Sequence, residues 1–584
     1  MGKFTTTAVT AAVGLMLSVG LAACGSEDSG SSDSSAPGFN AVEKGVVNPS
    51  DKKGGTIRYA SSDDWDSPDM GDTYYAFSQN FGRLYSRALT TFKPGPGQES
   101  LEVVPDLAES LGTPSDGGKT WTYKIRKGVK FDDGTEVTSK DVKYAVERSN
   151  FTDELQLGPK YFKQYLVDNP GGYKGPYKDK SEEGLKSIET PDDHTIVFHL
   201  NQPFSEFDYL VLMQTQPVPR AKDNGLEYQK NIVSSGPYKI DSYERGKLMK
   251  LSRNPHWDKA TDPYRTALPD NIEVALKQNA DDLDQKLLSG ALEMDIAGTG
   301  VQGAAQPTVL GDAKHKANAD NITAGYLRYA AVNKHVKPLD DVHCRRAVAY
   351  ATDKVAAQTA FGGPVAGGEI ATTILPPSVT GYQKADRYPV GADQHGDLAK
   401  AKEELAACGQ PNGFTTKISA RSDRPKEVAA AQGIQQGLAK VGIKTEIVQV
   451  PAGDYFNKYA GTPKWVHDNN VGIMLMAWAA DWPSGFGFLQ QIVDGRAIKP
   501  SGGTNLQETD LPDVNRLLDE AIEDTDAAAR NARYTKVDEL VMEDAGIVPL
   551  IYARLLLYRP ANVTNVTLTH GYGGMYDYLN LGVE

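Results

Sequence analysis

Cysteine is scarce here: the 584 residues hold three, too few for a scaffold built on disulfides. Histidine is nearly as thin. The nine histidines are scattered, and His335 and His343 lie eight apart in a charged stretch. That is not metal-ligand spacing, so both are read as solvated surface. There is no Gly-x-Ser-x-Gly elbow, no Walker loop and no His-Glu-x-x-His, which leaves no catalytic constellation to build an enzyme on and no metal or cofactor to assign. Gly298-Thr299-Gly300-Val301-Gln302-Gly303 does match a dinucleotide pattern. Pro307 stands where its helix should run, and no acidic residue ends a second strand, so the segment reads as a loop. A basic excess is absent as well. The net charge is −14, and such a surface repels phosphate backbones and anionic headgroups, which disfavours nucleic acid or a membrane surface as partner. The acidic pairs Asp63-Asp64 and Asp281-Asp282 lie in polar surroundings and read as turns or helix starts. Beyond the first two dozen residues, no apolar run reaches the ~18 needed to cross a bilayer.

What is present is an ordinary globular balance, 40% hydrophobic and 24% charged, long enough for three or four units at roughly 150 residues each. Lys3 and the apolar or small run from Ala8 to Ala23 form a short targeting segment with a small-residue cleavage site. Leu21-Ala22-Ala23-Cys24 resembles the bacterial lipobox, in which the Cys is lipidated and becomes the new N-terminus. The other reading is an ordinary signal peptide with an incidental Cys24. Gly25 to Ser35 has no apolar side chain to bury, and residues 24–53 are expected to be a disordered tether.

From Gly54 onward strands and helices alternate without a repeat. Trp121, Tyr123 and Ile125 alternate with polar neighbours, a half-buried strand. Thr138 stands three before Asp141, as in a capping box opening a helix through Val142, Ala145 and Val146. Ile196, Phe198 and Leu200 mark a second strand. Val428 to Lys440 reads as a helix ended by Gly442, with a strand over Ile443 to Val450. Leu517, Leu518, Ala521 and Ile522 mark a further helix, and Val537, Leu540 and Val541 another. A buried strand follows at Ile547 to Ile551. The mixture predicts an α/β or α+β chain with several sheets.

Several segments, in order, resemble one family. The run WTYKIRKGVKFDDGT from Trp121 to Thr135, followed by Ser139-Lys140-Asp141-Val142, resembles the signature of extracellular solute-binding protein family 5, the oligopeptide- and dipeptide-binding proteins of ABC importers. Val104 to Glu109 lies just upstream. Ser235-Gly236-Pro237-Tyr238 with Arg253 to Trp257, Pro338 to Asp353, Trp478-Ala479-Ala480-Asp481-Trp482-Pro483 and Ile547 to Leu550 continue the likeness. It implies a non-enzymatic, two-lobed, periplasmic-binding-protein-like α/β fold with a cleft between the lobes and an extra subdomain on the first. The implied division is a signal peptide at 1–23, the tether at 24–53, a discontinuous lobe one at 54–90, 226–325 and 545–584, the subdomain at 91–225, and lobe two at 326–544. It also implies a monomer on the outer face of the cell membrane, held there only by its lipid. Such a protein closes on a peptide by a hinge and hands it to the permease of an ABC importer.

A protein that holds many peptides must recognise their backbone and charged termini. A sealed α-ammonium needs a carboxylate. The resemblance gives that role to Asp481, with Trp478 and Trp482 as flat walls and Tyr74 and Tyr75 lining the groove. The plainer reading of the same residues is a turn cap before Pro483 and aromatic side chains in the core. The same fold could hold another solute, such as a metal chelate, a sugar or an opine; a surface hydrolase is the reading from another class. Cys344 shares a helical stripe with Ala347, Val348 and Ala351, and Cys408 shares one with Leu398, Ala401 and Leu405. Both thiols face a core in the same implied lobe and an oxidising compartment, so a Cys344–Cys408 disulfide is expected, against two buried free thiols.

Overall fold

The computed structural model describes residues 38–179, 181, 183–389, 395–524 and 526–584. The targeting segment, Cys24 and the Gly25–Ser35 run lie outside them. The fold is two-lobed. β1 (Thr56–Ala60) opens the first lobe, with Ile57 and Tyr59 buried on either side of exposed Arg58. The chain then leaves to build a four-stranded subdomain sheet from β2 (Thr113–Ser115), β3 (Thr120–Lys124), β4 (Ile188–Asp192) and β5 (Thr195–His199), ordered β2-β3-β5-β4. Between β3 and β4 runs α1 (Ser139–Asn150). Its capping box is formed: the Thr138 backbone N–H donates to Asp141 Oδ2 at 2.8 Å, and the N3 backbone donates to the Thr138 side chain. The inward residues Trp121 and Tyr123 of β3 pair with Phe198 and Ile196 of β5, so the alternation of period two is the pleat itself.

The chain returns to lobe one through β6 (Tyr238–Glu244), β7 (Leu248–Arg253), β8 (Asn271–Ala275) and β9 (Met294–Asp295). With β1 they form a five-stranded sheet ordered β9-β1-β8-β7-β6. β1 is parallel to both its neighbours, Thr56 lying opposite Asn271 and Tyr59 opposite Met294. A buried ionic knot ties the subdomain's root to this lobe. Asp106 accepts from Arg87 Nε at 2.8 Å and from Arg265 Nη1 at 3.0 Å and Nη2 at 2.6 Å, and Asp262 also faces Arg265.

The second lobe is built on β10 (Ala319–Val332), α2 (Val342–Ala351), β11 (Gly368–Ile370), α3 (Leu398–Ala407), β12 (Thr415–Arg421), α4 (Pro425–Ala439), β13 (Lys444–Val450), β14 (Ile473–Ala479), α5 (Gly485–Val493), α6 (Pro512–Glu523), α7 (Ala527–Asp544) and β15 (Ile547–Tyr558). The strands form a six-stranded sheet ordered β11-β15-β10-β14-β12-β13. A disulfide joins Cys344 on α2 to Cys408 just past α3, with Cα atoms 5.5 Å apart. Cys344 is fully buried, whereas Cys408 is half-buried.

Three expectations change. The tether does not extend to Lys53. Val42 and Val47 are buried, the Val47 N–H donates to Val566 O at 2.9 Å, and the Ser50 N–H donates to Asn565 Oδ1 at 2.9 Å. Residues 38–53 carry apolar anchors that Gly25–Ser35 lacks. The segment 545–584 does not belong wholly with lobe one. β15 pairs antiparallel with β10 and β11, where every residue but Arg554 is buried, so its apolar side chains are covered on both faces. The chain after β15 does return: the Tyr578 ring meets Tyr59 edge-on at 5.4 Å, and Arg83 pairs with Asp577 at 2.7 Å. Finally, the bend at Asp63 is not a polar one: Asp63 and Asp64 are buried and ion-paired, to Arg424 and to Lys277, whereas Asp281 and Asp282 do open a helix capped by Asn279.

Candidate functional site

Parallel strands gather their carboxyl ends on one side of a sheet, and ligands lie beyond those ends. Both main sheets do so here. β1 and β9 lead into Ser62 and the Ala297–Gln302 loop, while β12 and β14 lead into Arg421–Glu427 and Trp478–Asp481. Between them lies a cavity with an empty volume of about 1530 Å³, counting its open part.

Asp481 lies on this cavity two residues past β14. Its Oδ2 accepts from the hydroxyls of Tyr74 and Tyr161, both at 2.7 Å. One tyrosine comes from lobe one and the other from the subdomain, so the carboxylate is gripped from across the cleft. Among the described residues nothing donates to Oδ1. Burial pushes its pKa up to about 7, and the two tyrosine hydroxyls and Lys499 pull against that shift. Trp478 lines the cavity, with its indole N–H on Phe488 O at 2.7 Å and its ring edge-on to Tyr74 at 5.7 Å. Tyr75 also lines the cavity; it stacks on Phe77 at 5.5 Å and donates to Ala452 O of the other lobe at 2.6 Å. Trp482 is the exception, and its expected place as a wall is corrected. It is 1% exposed, packed among Tyr161, Phe204 and Phe486, and its indole N–H donates to Glu206. Pro483 and the start of α5 turn it into the core.

Some residues of the site escaped the sequence reading. Tyr161, next to Phe162 on the short helix Tyr161–Tyr165, meets Asp481 without itself lining the cavity, and no motif announces that meeting. Arg424 pairs with fully buried Asp63 across the cleft, its Nε donating at 2.7 Å. Lys426 donates to the carbonyls of Val301 at 2.7 Å, Gly300 at 3.1 Å and Thr299 at 3.4 Å. This is the glycine-rich segment read as a loop, and it is one. Its N–H groups are engaged inward: Thr299 donates to Asp295, Val301 to Leu556 O and Gln302 to Asp284. A phosphate cradle needs such groups pointing at the ligand.

A model described as bacterial extracellular solute-binding proteins, family 5, middle, matches residues 102–499. The chain is 26% identical over 482 residues to Glutathione-binding protein GsiB of Shigella boydii, covering 78% of this chain and 82% of that protein. It is 27% identical over 502 residues to Heme-binding protein A of Haemophilus influenzae, covering 83% of each. Its structure is similar to that of Clavulanic acid biosynthesis oligopeptide binding protein 2, at 43% identity and a TM-score of 0.84 over 94% of this chain and 99% of that one. It also shares its fold with the periplasmic binding protein DppA of Helicobacter pylori, solved in complex with the peptide STSA. That likeness is 22% identity and a TM-score of 0.73 over 90% of this chain and 99% of that one.

Proposed function

The chain belongs to the bacterial extracellular solute-binding proteins of family 5, and we propose that within it this protein captures peptides and delivers them to an ABC importer. The family is one of extracytoplasmic solute-binding proteins rather than enzymes, and its members serve ABC permeases. The observation that carries the peptide reading is the open oxygen of Asp481. Two tyrosines hold the other oxygen, so the carboxylate is aimed and half-coordinated before any ligand arrives. An α-ammonium brings both the charge that returns the carboxyl to its ionised form and the donors that Oδ1 lacks. Trp478 and Tyr75 offer apolar faces beside it, suited to side chains of varied shape. An amine-free solute would leave that oxygen unmatched, which ranks a heme-like ligand below peptides for this chain. Capture is by closure of the two lobes, the protein works as a monomer, and Cys24 carries the lipid that holds it at the membrane.

The test compares free and N-acetylated peptides on the wild type and on Asp481→Asn. Truncating one member of a buried charge pair costs about 2–5 kcal/mol, roughly 30-fold to several-thousand-fold in affinity. Free peptides should lose that much on Asp481→Asn, and acetylated ones should bind the wild type poorly. Equal binding of acetylated and free peptides by the wild type refutes the pairing. Unfolding of ligand-free Asp481→Asn would make the residue a structural cap.

A further inference from the structure

Seven charged side chains line the cavity: Asp66, Arg328, Arg421, Arg424, Lys426, Glu427 and Asp481. Five are matched within the protein. Asp66 accepts from the hydroxyls of Thr73 and Ser78 and from the N–H groups of Tyr74 and Tyr75. Arg421 holds Glu427, Arg424 holds Asp63, and Lys426 is engaged by three carbonyls. Asp481 keeps one oxygen open. Arg328 keeps everything open. Among the described residues no carboxylate pairs with it, no side-chain hydrogen bond satisfies it, and its Nε is buried without a partner. The Phe361 ring lies under it, 4.1 Å from the guanidinium carbon. Burial and the nearby Arg424 and Arg421 depress its pKa to about 10, with Glu427 opposing, yet it remains a cation at neutral pH. A half-buried guanidinium with a buried, unpartnered Nε is costly and is retained here on the wall of a cavity.

We propose that Arg328 receives a carboxylate of the bound solute, so that the cavity selects a zwitterion held at Asp481 by its cation and at Arg328 by its anion. This rests on the peptide reading for its cationic end only. The planar guanidinium presents a fork that matches a carboxylate with two parallel bonds. Arg328 sits on β10 opposite Ala477 of β14, four residues before Asp481. At about 3.3 Å per residue that sets a scale of about 13 Å between the two anchor points, the reach of an extended peptide of roughly three to five residues. The carboxylate could be the peptide's C-terminus or an acidic side chain near it.

The experiment titrates tri- to pentapeptides with neutral side chains, as free acids and as C-terminal amides, into the wild type, Arg328→Met and Arg328→Lys. Amidation should weaken binding to the wild type by at least about 10-fold. Arg328→Met should bind the free acid as weakly as the wild type binds the amide, with no further loss on amidation, and Arg328→Lys should recover part of the difference. An amide rescued by a terminal Asp or Glu side chain would make that side chain the source of the carboxylate and would uphold the proposal. The ligand-free melting temperature of Arg328→Met should hold or rise, since an unpaired charge has gone. Unchanged affinity in Arg328→Met, or an equal amidation loss in both proteins, overturns the proposal, as does a melting temperature several degrees lower with binding intact. If the wild type retains no peptide, the peptide reading falls and the molecule released by denaturing the purified protein decides. A released ligand without an acid group overturns the role of Arg328. An acidic one that Arg328→Met fails to retain upholds that role for another solute.

Discussion

At the scale of single residues, a carboxyl with one oxygen bonded and one open is a proton switch as well as an anchor. In the free protein the Asp481 pKa stands at about 7, raised chiefly by burial. On the proposed pairing the ammonium binds the ionised form, so capture at lower pH must expel the proton. Affinity should therefore rise about tenfold per pH unit up to about pH 7. It should fall again once the ligand's own α-amino group, ordinarily at about 7.7–8.0, loses its proton. Calorimetry at about pH 6 in buffers of different ionisation enthalpy should detect close to one proton released per peptide bound, and none with Asp481→Asn. The tyrosines favour the ionised carboxyl. Tyr161→Phe removes one hydrogen bond to a charged group, worth about 1.5–3 kcal/mol, and should weaken peptide binding by roughly 10-fold or more while leaving the ligand-free melting temperature nearly unchanged. An unaltered affinity would show that Tyr74 alone suffices.

At the scale of elements, two links hold parts that the hydrophobic pattern alone does not join. The Cys344–Cys408 bridge closes a loop of 64 residues between α2 and α3. In the chain-entropy model such a loop gives about 4 kcal/mol, so the double variant Cys344→Ser, Cys408→Ser should melt well below the wild type, and the unreduced, denatured mature protein should show no free thiol from this pair. The Arg87–Asp106–Arg265 knot is the second link. Asp106→Asn leaves two buried guanidinium groups short of a counter-charge and should cost about 3–5 kcal/mol in denaturant unfolding. Much of this architecture was legible where local chemistry decides it. The Thr138–Asp141 box, the Trp121–Tyr123 alternation and the Gly442 stop all follow from neighbours within a few residues. Less was legible where distant chain segments decide. The apolar run at Ile547 reads as a buried strand but does not say which sheet buries it. Trp482 looks as ready as Trp478 to line a cleft until Glu206 claims its N–H. A single arginine in the middle of β10 carries no motif, so Arg328 is visible only as a charge without a partner.

At the scale of the whole molecule, the cleft is drawn from both lobes and the subdomain, so ligand and closure are linked. A peptide bound at 100 times its dissociation constant should stabilise the protein by about 2.7 kcal/mol, read as a rise in melting temperature that Asp481→Asn abolishes. Cys24→Ser should release the protein from membranes into the medium, and retention would remove the lipid anchor from the reading. The parallel pairing of β1 carries a different kind of consequence, one of timing. Both neighbours of β1 lie more than 200 residues downstream, Asn271 opposite Thr56 and Met294 opposite Tyr59. Ser50, just before it, waits for Asn565, a separation of 515. A chain threaded outward from its amino end thus delivers the centre of its first sheet long before either flank, with two unpaired strand edges open to aggregation. Non-local pairing of this kind is slow. The first lobe is begun first and finished last, and whatever shields β1 during that interval governs how much protein reaches its folded form.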